Sequence, residues 1–361
     1  MKGELAQYNM TILNDKNIDI KNQLLFCGPD MGLQRYDKFK HPIFFDLFKK
    51  QMEFFWRPEE ISLGKDRGDY ETLHDHEKHI FTSNLLFQTM LDSVVSRGVP
   101  ILLNRVTNPE LEACFNAWQF FETIHSYSYT YIIKNLYPDP TEILDSALIN
   151  PEILKRANSV KVQYDKLAKI TSNDVKANIY LTLISVNILE AIRFYVSFIC
   201  AFAFAENKKM VGNADIIRLI KRDEAVHLYI TQNIISILQT DESEGFVQTV
   251  KDYEDVAIQM FIDGANEEKE WASYLFKDGS ILGLNDKILS NYIEWLVDSR
   301  LQALKMPKQY NVKNAGIGSW SDAWMNSSSV QVAPQESEIT SYKIGAFSSD
   351  LDSNDISSFN L

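Results

Sequence analysis

Glu122 and His125 lie three residues apart, and Tyr129 follows four residues after the histidine. On a helix these three positions share one face. The flanking "CFNAWQFF" and "TYIIKNLY" are apolar and aromatic, so that face is expected to be buried. The same E-x-x-H spacing returns in "RDEAVH", with Glu224 and His227. One such pair arises often by chance. Two on apolar helices, in a chain with only six histidines, point to a metal site. Two more acids sit where acids are costly: Glu190 inside "SVNILEAIRFYVSF" and Asp92 inside "LLFQTMLDSVV". A buried, unpaired carboxylate costs several kcal/mol, roughly. Four carboxylates and two neutral imidazoles balance two divalent cations, as in a dinuclear carboxylate site within a helical bundle. Oxygen-rich ligands with a little imidazole suit Fe or Mn better than a zinc, magnesium or calcium site. A competing cluster, "HDHEKH" at 74–79, holds three histidines but lacks the H-E-x-x-H spacing. It is expected to be a solvated helix start.

Helices must deliver these groups. Periodic segments run over 43–56, 78–97, 108–136, 152–169, 175–206, 213–239, 245–275 and 286–303. Breakers such as "HP" at 41, "RGVP" at 97, "NP" at 108 and "NP" at 150 bound them. The stretch 178–205 is apolar nearly all round, which predicts a helix at the centre of a bundle. The longest apolar run, 194–205, is too short to span a bilayer. The fold class is therefore all-α, with one domain over residues 1–306. Residues 307–361, rich in Ser, Asn, Asp and Gly, are expected to form an irregular and then disordered tail. Its last residues, "DISSFNL", have the look of a peptide that docks into a partner's groove.

A net charge of −13 and the lack of a basic run argue against nucleic acid as a partner. Three scattered cysteines without a C-x-x-C fit the cytoplasm and exclude a thiolate metal site. They also leave the chain without a redox-active dithiol.

Read together, the motifs resemble the small (beta) subunit of class I ribonucleotide reductase, the radical-generating subunit. The segments that carry the resemblance are "FFWRPEE" (54–60), "HEKHIF" (76–81), "MLDS" (90–93), "ETIHSYSYT" (122–130) and "SVNILEAIRFYVSF" (185–198). "IIRLIKRDEAVHL" (216–228), "YLFKDGSILGLN" (274–285) and "VQVAPQESEITSY" (330–342) extend it over nearly the whole chain. The resemblance implies a ferritin-like helical bundle with additional helices, a homodimer, and a flexible C-terminal tail that docks on the large (alpha) subunit. It implies that Asp92, Glu122, His125, Glu190, Glu224 and His227 ligate an oxo-bridged di-iron centre, with manganese as the alternative. Tyr129 would hold a stable tyrosyl radical in an apolar pocket of Phe194, Phe198 and Ile220. On regular helical spacing Glu190, Phe194 and Phe198 fall at i, i+4 and i+8. The radical would leave through Trp56 and Asp223, with Glu336 and Tyr342 in the tail relaying it to the large subunit, which reduces ribonucleotides to deoxyribonucleotides for DNA replication. Tyr127 points about 200° around the helix from His125 and is expected to be a bystander. Two other readings use the same ligand frame: a di-iron oxygenase or desaturase, and a ferritin-like iron binder.

Overall fold

A computed structural model describes residues 11–19, 21–169 and 175–325. Its helices are α1 (Pro42–Glu53), α2 (Gly64–Thr72), α3 (Asp75–Leu103), α4 (Pro109–Leu136), α5 (Pro140–Ala147), α6 (Pro151–Ala168), α7 (Val175–Ile188), α8 (Phe194–Glu206), α9 (Val211–Thr240), α10 (Val247–Asp252), α11 (Glu254–Leu275), α12 (Asp286–Ala303) and α13 (Trp320–Met325). Among the described residues there is no β-strand, only the isolated bridges Phe26–Val106 and Ile281–Leu284. The long helices α3, α4, α7–α8 and α9 pack side by side around the centre, while α6, α11 and α12 cover their outer faces.

Local chemistry explains where the helices start. Asn108, Asp139 and Asn150 each stand before a proline, and their side chains accept backbone N–H bonds from the first turns of α4, α5 and α6. The side-chain oxygen satisfies a donor the helix cannot, and the proline supplies a preset φ where no N–H is needed. Asn285 caps α12 with its side chain as well, there without a proline. The dipeptides that signalled breaks are thus helix starts. At 74–79 the sequence does form a helix start: the backbone N–H of His74 donates to Glu77 at 2.9 Å, and Glu77 pairs with Lys209 at 3.1 Å.

Helices α2, α5 and α13 fall outside the segments expected to be helical, and three further differences bear on the core. Helix α3 does not stop at "RGVP" but continues through Pro100 to Leu103. Proline removes one N–H from the ladder, and the helix closes just beyond it with Asn104 N–H on Pro100 O at 3.0 Å. Gly98 serves packing rather than a break, because the Tyr164 ring of α6 lies on it; a Cβ there would stand 2.3 Å from Tyr164 Cζ. Gly98→Ala is therefore expected to destabilise the fold by about 1–3 kcal/mol through forced repacking. Urea denaturation reads this directly, and an unchanged midpoint would contradict it. The expected helix 245–275 is broken at Tyr253 into α10 and α11.

The third difference lies at the centre. Helices α7 and α8 form one rod interrupted by a π-helical turn, Leu189–Arg193. There the Phe194 N–H reaches back five residues to Leu189 O. Glu190 consequently falls out of the regular i, i+4 register with Phe194, because the turn inserts an extra residue, while Phe194 and Phe198, both in α8, keep theirs. Every residue from Ile179 to Ala205 is buried. Taken whole, residues 175–206 form a 32-residue rod long and apolar enough to cross a membrane, a length the run 194–205 alone understated. Its apolar window is wholly encased by the other helices, which is the burial of a core helix.

Residues 307–325 run over the outside of the bundle and end in α13, where Trp324 stacks on Phe202 of α8 with ring centroids 5.5 Å apart. Glu336 and Tyr342 lie outside the described residues.

Candidate metal centre

Helix α3 brings Asp92, α4 brings Glu122 and His125, the π turn brings Glu190, and α9 brings Glu224 and His227. All six side chains are fully buried. Their ligand atoms fall into two overlapping groups, each within 4.8 Å: Asp92, Glu122, His125 and Glu224, then Glu122, Glu190, Glu224 and His227. Glu122 and Glu224 belong to both. Each group has one imidazole and one acid of its own, which is the layout of two adjacent cation positions bridged by two shared carboxylates.

Both imidazoles turn Nδ1 toward the shared acids. His125 Nδ1 lies 3.0 Å from Glu224 Oε1 and 3.8 Å from Glu122 Oε2. His227 Nδ1 lies 2.7 Å from Glu224 Oε2 and 3.1 Å from Glu122 Oε1. Behind His125, its Nε2 stands 3.1 Å from Asp223 Oδ2, and the same oxygen accepts the Trp56 indole N–H at 2.7 Å. A carboxylate behind a ligand imidazole fixes ring orientation and tautomer.

The donor set fits cations. Both oxygens of Asp92 and of Glu190, with Glu122 Oε2, are buried and make no well-formed hydrogen bond. Such orphaned atoms are costly unless a cation meets them. Burial, reinforced by Glu122 and Glu224, pushes the Asp92 carboxyl well above the usual range, and burial with Glu224 does the same to Glu190. Glu122 is raised by burial and then by Glu224. Burial alone would also raise Glu224, but His125 and His227 outweigh it and hold that acid below the usual range. Burial would lower both imidazoles, yet the acids, Glu224 foremost, raise them. Four acids this close ionise together only with compensating positive charge. The cluster of His41, Asp241 and Glu244 differs. Glu244 there already accepts from the Leu25 N–H at 2.8 Å, contacts His41 at 2.9 Å and pairs with Lys40. Its needs are met, and it ties the N-terminal segment to the end of α9.

Tyr129 is fully buried and within electrostatic reach of Asp92, Glu224 and Glu122; Phe194, Phe198 and Ile220 are fully buried too. The Tyr129 hydroxyl makes no well-formed hydrogen bond, and Asp92 is its polar neighbour. Burial, and after it Asp92, pushes the phenol well above its ordinary range. The Phe194 and Phe198 rings stack with centroids 5.8 Å apart. Tyr127 stands apart, half-exposed and bonded to Glu59.

Residues 34–315 match the family model described as ribonucleotide reductase, small chain. The chain belongs to the ribonucleotide reductase small-chain family. It is 43% identical to ribonucleoside-diphosphate reductase 1 subunit beta of Salmonella typhimurium, covering 97% of this chain and 99% of that protein. It is 36% identical to the beta subunit of enterobacteria phage T4, covering 97% and 98%. The ribonucleotide reductase R2 subunit from Clostridium botulinum superposes with a TM-score of 0.80 at 28% identity, covering 88% of this chain and 98% of that one. The function is that of the beta subunit of a ribonucleoside-diphosphate reductase, which works with the large subunit of that enzyme, and the fold is the ferritin-like bundle of the family.

Two small-chain residues at the centre escaped the sequence reading. Trp118 donates its indole N–H to Glu122 Oε1 at 2.7 Å and stacks on His227 with centroids 5.0 Å apart. Its position one turn before Glu122 was the available signal. Arg222 donates to Phe54 O at 2.6 Å and lies 3.5 Å from Asp223, steadying the segment that carries Trp56. Nothing in the sequence distinguished it from any charged helix residue.

Proposed function

We propose that Asp92, Glu122, His125, Glu190, Glu224 and His227 hold a pair of iron ions, and that Tyr129 beside them becomes the stable radical of this reductase. The observation that carries this reading is the pair of overlapping ligand groups sharing Glu122 and Glu224. Such a pair, once loaded and reduced, draws on dioxygen for the oxidising power needed to take an electron and a proton from a nearby phenol.

The chain's own residues do the rest. Helix α4 carries Glu122, His125 and Tyr129 on one face, so the phenol is held in register with the ligands before any cation binds. Of the acids around the phenol Asp92 bears on it most, and it is assigned as the acceptor of the phenol's proton. Phe194, Phe198 and Ile220 pack the oxidised ring away from water and reductants. For export, Trp56, Asp223 and His125 form a continuous chain through one carboxylate oxygen, and the Trp56 and His125 ring centroids are 6.4 Å apart. Glu336 and Tyr342 are assigned the relay to the large subunit, with the C-terminal "SSFNL" docking there, and the subunit works as a homodimer. Iron is preferred over manganese because Tyr129 is available for oxidation. The three unpaired cysteines suit the cytoplasm.

The test is reconstitution of metal-free protein with Fe(II) and oxygen, read by metal analysis and EPR, followed by ribonucleoside diphosphate reduction with the large subunit. A tyrosyl signal with about two irons per chain is expected. A metal pair that consumes oxygen without an organic radical would favour a manganese cofactor or the oxygenase reading. A large mineral load would favour the iron-binder reading.

Asp223→Asn and Trp56→Phe separate radical formation from radical export. Both are expected to keep the tyrosyl signal while lowering nucleotide reduction about 10–100-fold, as substitutions behind a metal ligand commonly do. Full turnover in either variant would exclude this route.

A further inference from the structure

We propose that Arg193 is a positioning residue for Glu190, acting through an ion-pair brace from α11 that holds the π turn in place. This inference rests on the dinuclear reading given above.

Two of the four central acids are held by side chains: Glu122 by Trp118, and Glu224 by His227. Neither oxygen of Glu190 makes a well-formed hydrogen bond, its polar neighbour being the Glu224 carboxyl of the same site. Asp92 makes none either, but Asp92 stands on a regular α-helix whose backbone ladder fixes it. Glu190 stands on the π turn, a rare backbone form that persists only where its surroundings impose it. The placement of this carboxylate therefore depends on what imposes the turn.

The last residue of the turn is Arg193, almost wholly buried. Its Nη1 donates to Glu268 Oε1 at 2.9 Å, and its Nη2 donates to Glu267 Oε2 at 2.7 Å and to Ser159 Oγ at 2.8 Å. Glu267 and Glu268 are on α11 and Ser159 is on α6, two helices that contribute none of the six central residues. The other end of the turn is also gripped by α11. Gly264, one turn before Glu268, lies so close to Ile188 that a Cβ would stand 3.0 Å from Ile188 Cγ2. Helix α11 thus holds the residue just before the π turn and the residue that ends it, with Glu190 between them. A buried ion pair is a poor source of stability compared with apolar packing, and its best-attested use is to specify one arrangement over others. Here the arrangement specified is the rotation of the turn, and with it the position where Glu190 and His227 meet the second cation.

The experiment is an anaerobic titration of metal-free protein with Mn(II), following free Mn(II) by EPR. It compares wild type, Glu268→Gln and Glu267→Gln, each also in a His227→Ala background that leaves only the position of Asp92 and His125. The brace variants are expected to bind one Mn(II) as wild type does and the other about 10–100-fold more weakly. They should leave the single Mn(II) of the His227→Ala protein unaffected. Equal weakening at both positions would show a general structural role and overturn the proposal, as would two unchanged affinities. Glu267 is partly exposed, so Glu267→Gln keeps the test decisive if Glu268→Gln fails to melt cooperatively. A wild type that binds no pair of Mn(II) ions would remove the dinuclear reading itself, a result distinct from failure of the brace.

Discussion

Tyr129→Phe is expected to fold, to load metal like the wild type, and to show no stable tyrosyl signal after Fe(II) and oxygen. Nucleotide reduction with the large subunit should fall to background. The substitution removes one oxygen from a fully buried side chain whose hydroxyl makes no well-formed hydrogen bond and has Asp92 as its polar neighbour. The weak contact with Asp92 is the one polar interaction lost, so stability should change by no more than about 1 kcal/mol. The ring itself remains to pack against the surrounding core. What disappears is the only fully buried phenol on the α4 face that carries Glu122 and His125. Tyr127 cannot replace it, since its hydroxyl faces Glu59 at the surface. EPR on freshly reconstituted protein, with metal analysis of the same sample, checks this. A persisting tyrosyl signal of wild-type size would place the radical elsewhere.

The second large effect concerns the shared acids. Glu224→Ala should lose both cations, whereas His227→Ala should lose one. Glu224 supplies an oxygen to each ligand group, and each imidazole points Nδ1 at it. His227 belongs to one group alone. Metal per chain after loading and gel filtration is therefore expected to be near two in wild type, near one in His227→Ala and near zero in Glu224→Ala. Thermal melts add an independent reading. Glu224 is paired with both imidazoles, so its removal also costs the metal-free fold some stability, and the shift on adding metal is read for each protein against its own metal-free melt. Cation binding stabilises the folded state by mass action, about 2.7 kcal/mol at a hundredfold excess over Kd. Addition of Mn(II) should raise the melting temperature of wild type clearly and that of Glu224→Ala hardly at all. One tightly bound cation in Glu224→Ala would show that the two positions do not share this acid.

Much of this centre is written in local sequence because local geometry is enough. Glu122, His125 and Tyr129 share a face through helical periodicity alone, and so do Glu224 and His227. The N-terminal ends of α4, α5 and α6 follow from an Asn or Asp before a proline, a chemistry confined to one turn. The apolar stretch around Glu190 marked the central helix for the same reason: a helix surrounded by others has no polar face. Other features depend on distances between helices, which no single segment specifies. The separation of α4 from α9 makes Glu122 and Glu224 common to both groups, and it is set by packing across the whole core. Trp56, His125 and Asp223 meet at one oxygen although Trp56 and Asp223 are 167 residues apart in the chain. Helix α3 survives Pro100, and Gly98 is explained by Tyr164 rather than by flexibility, because contacts with α6 outweigh the local preference to break. The π turn is the clearest case. Its residues are ordinary helix formers, and the extra residue it accommodates is imposed from outside, where α11 and α6 close on Ile188 and Arg193. Residue spacing named the candidate ligands, and the packing of the helices decided which of them stand together.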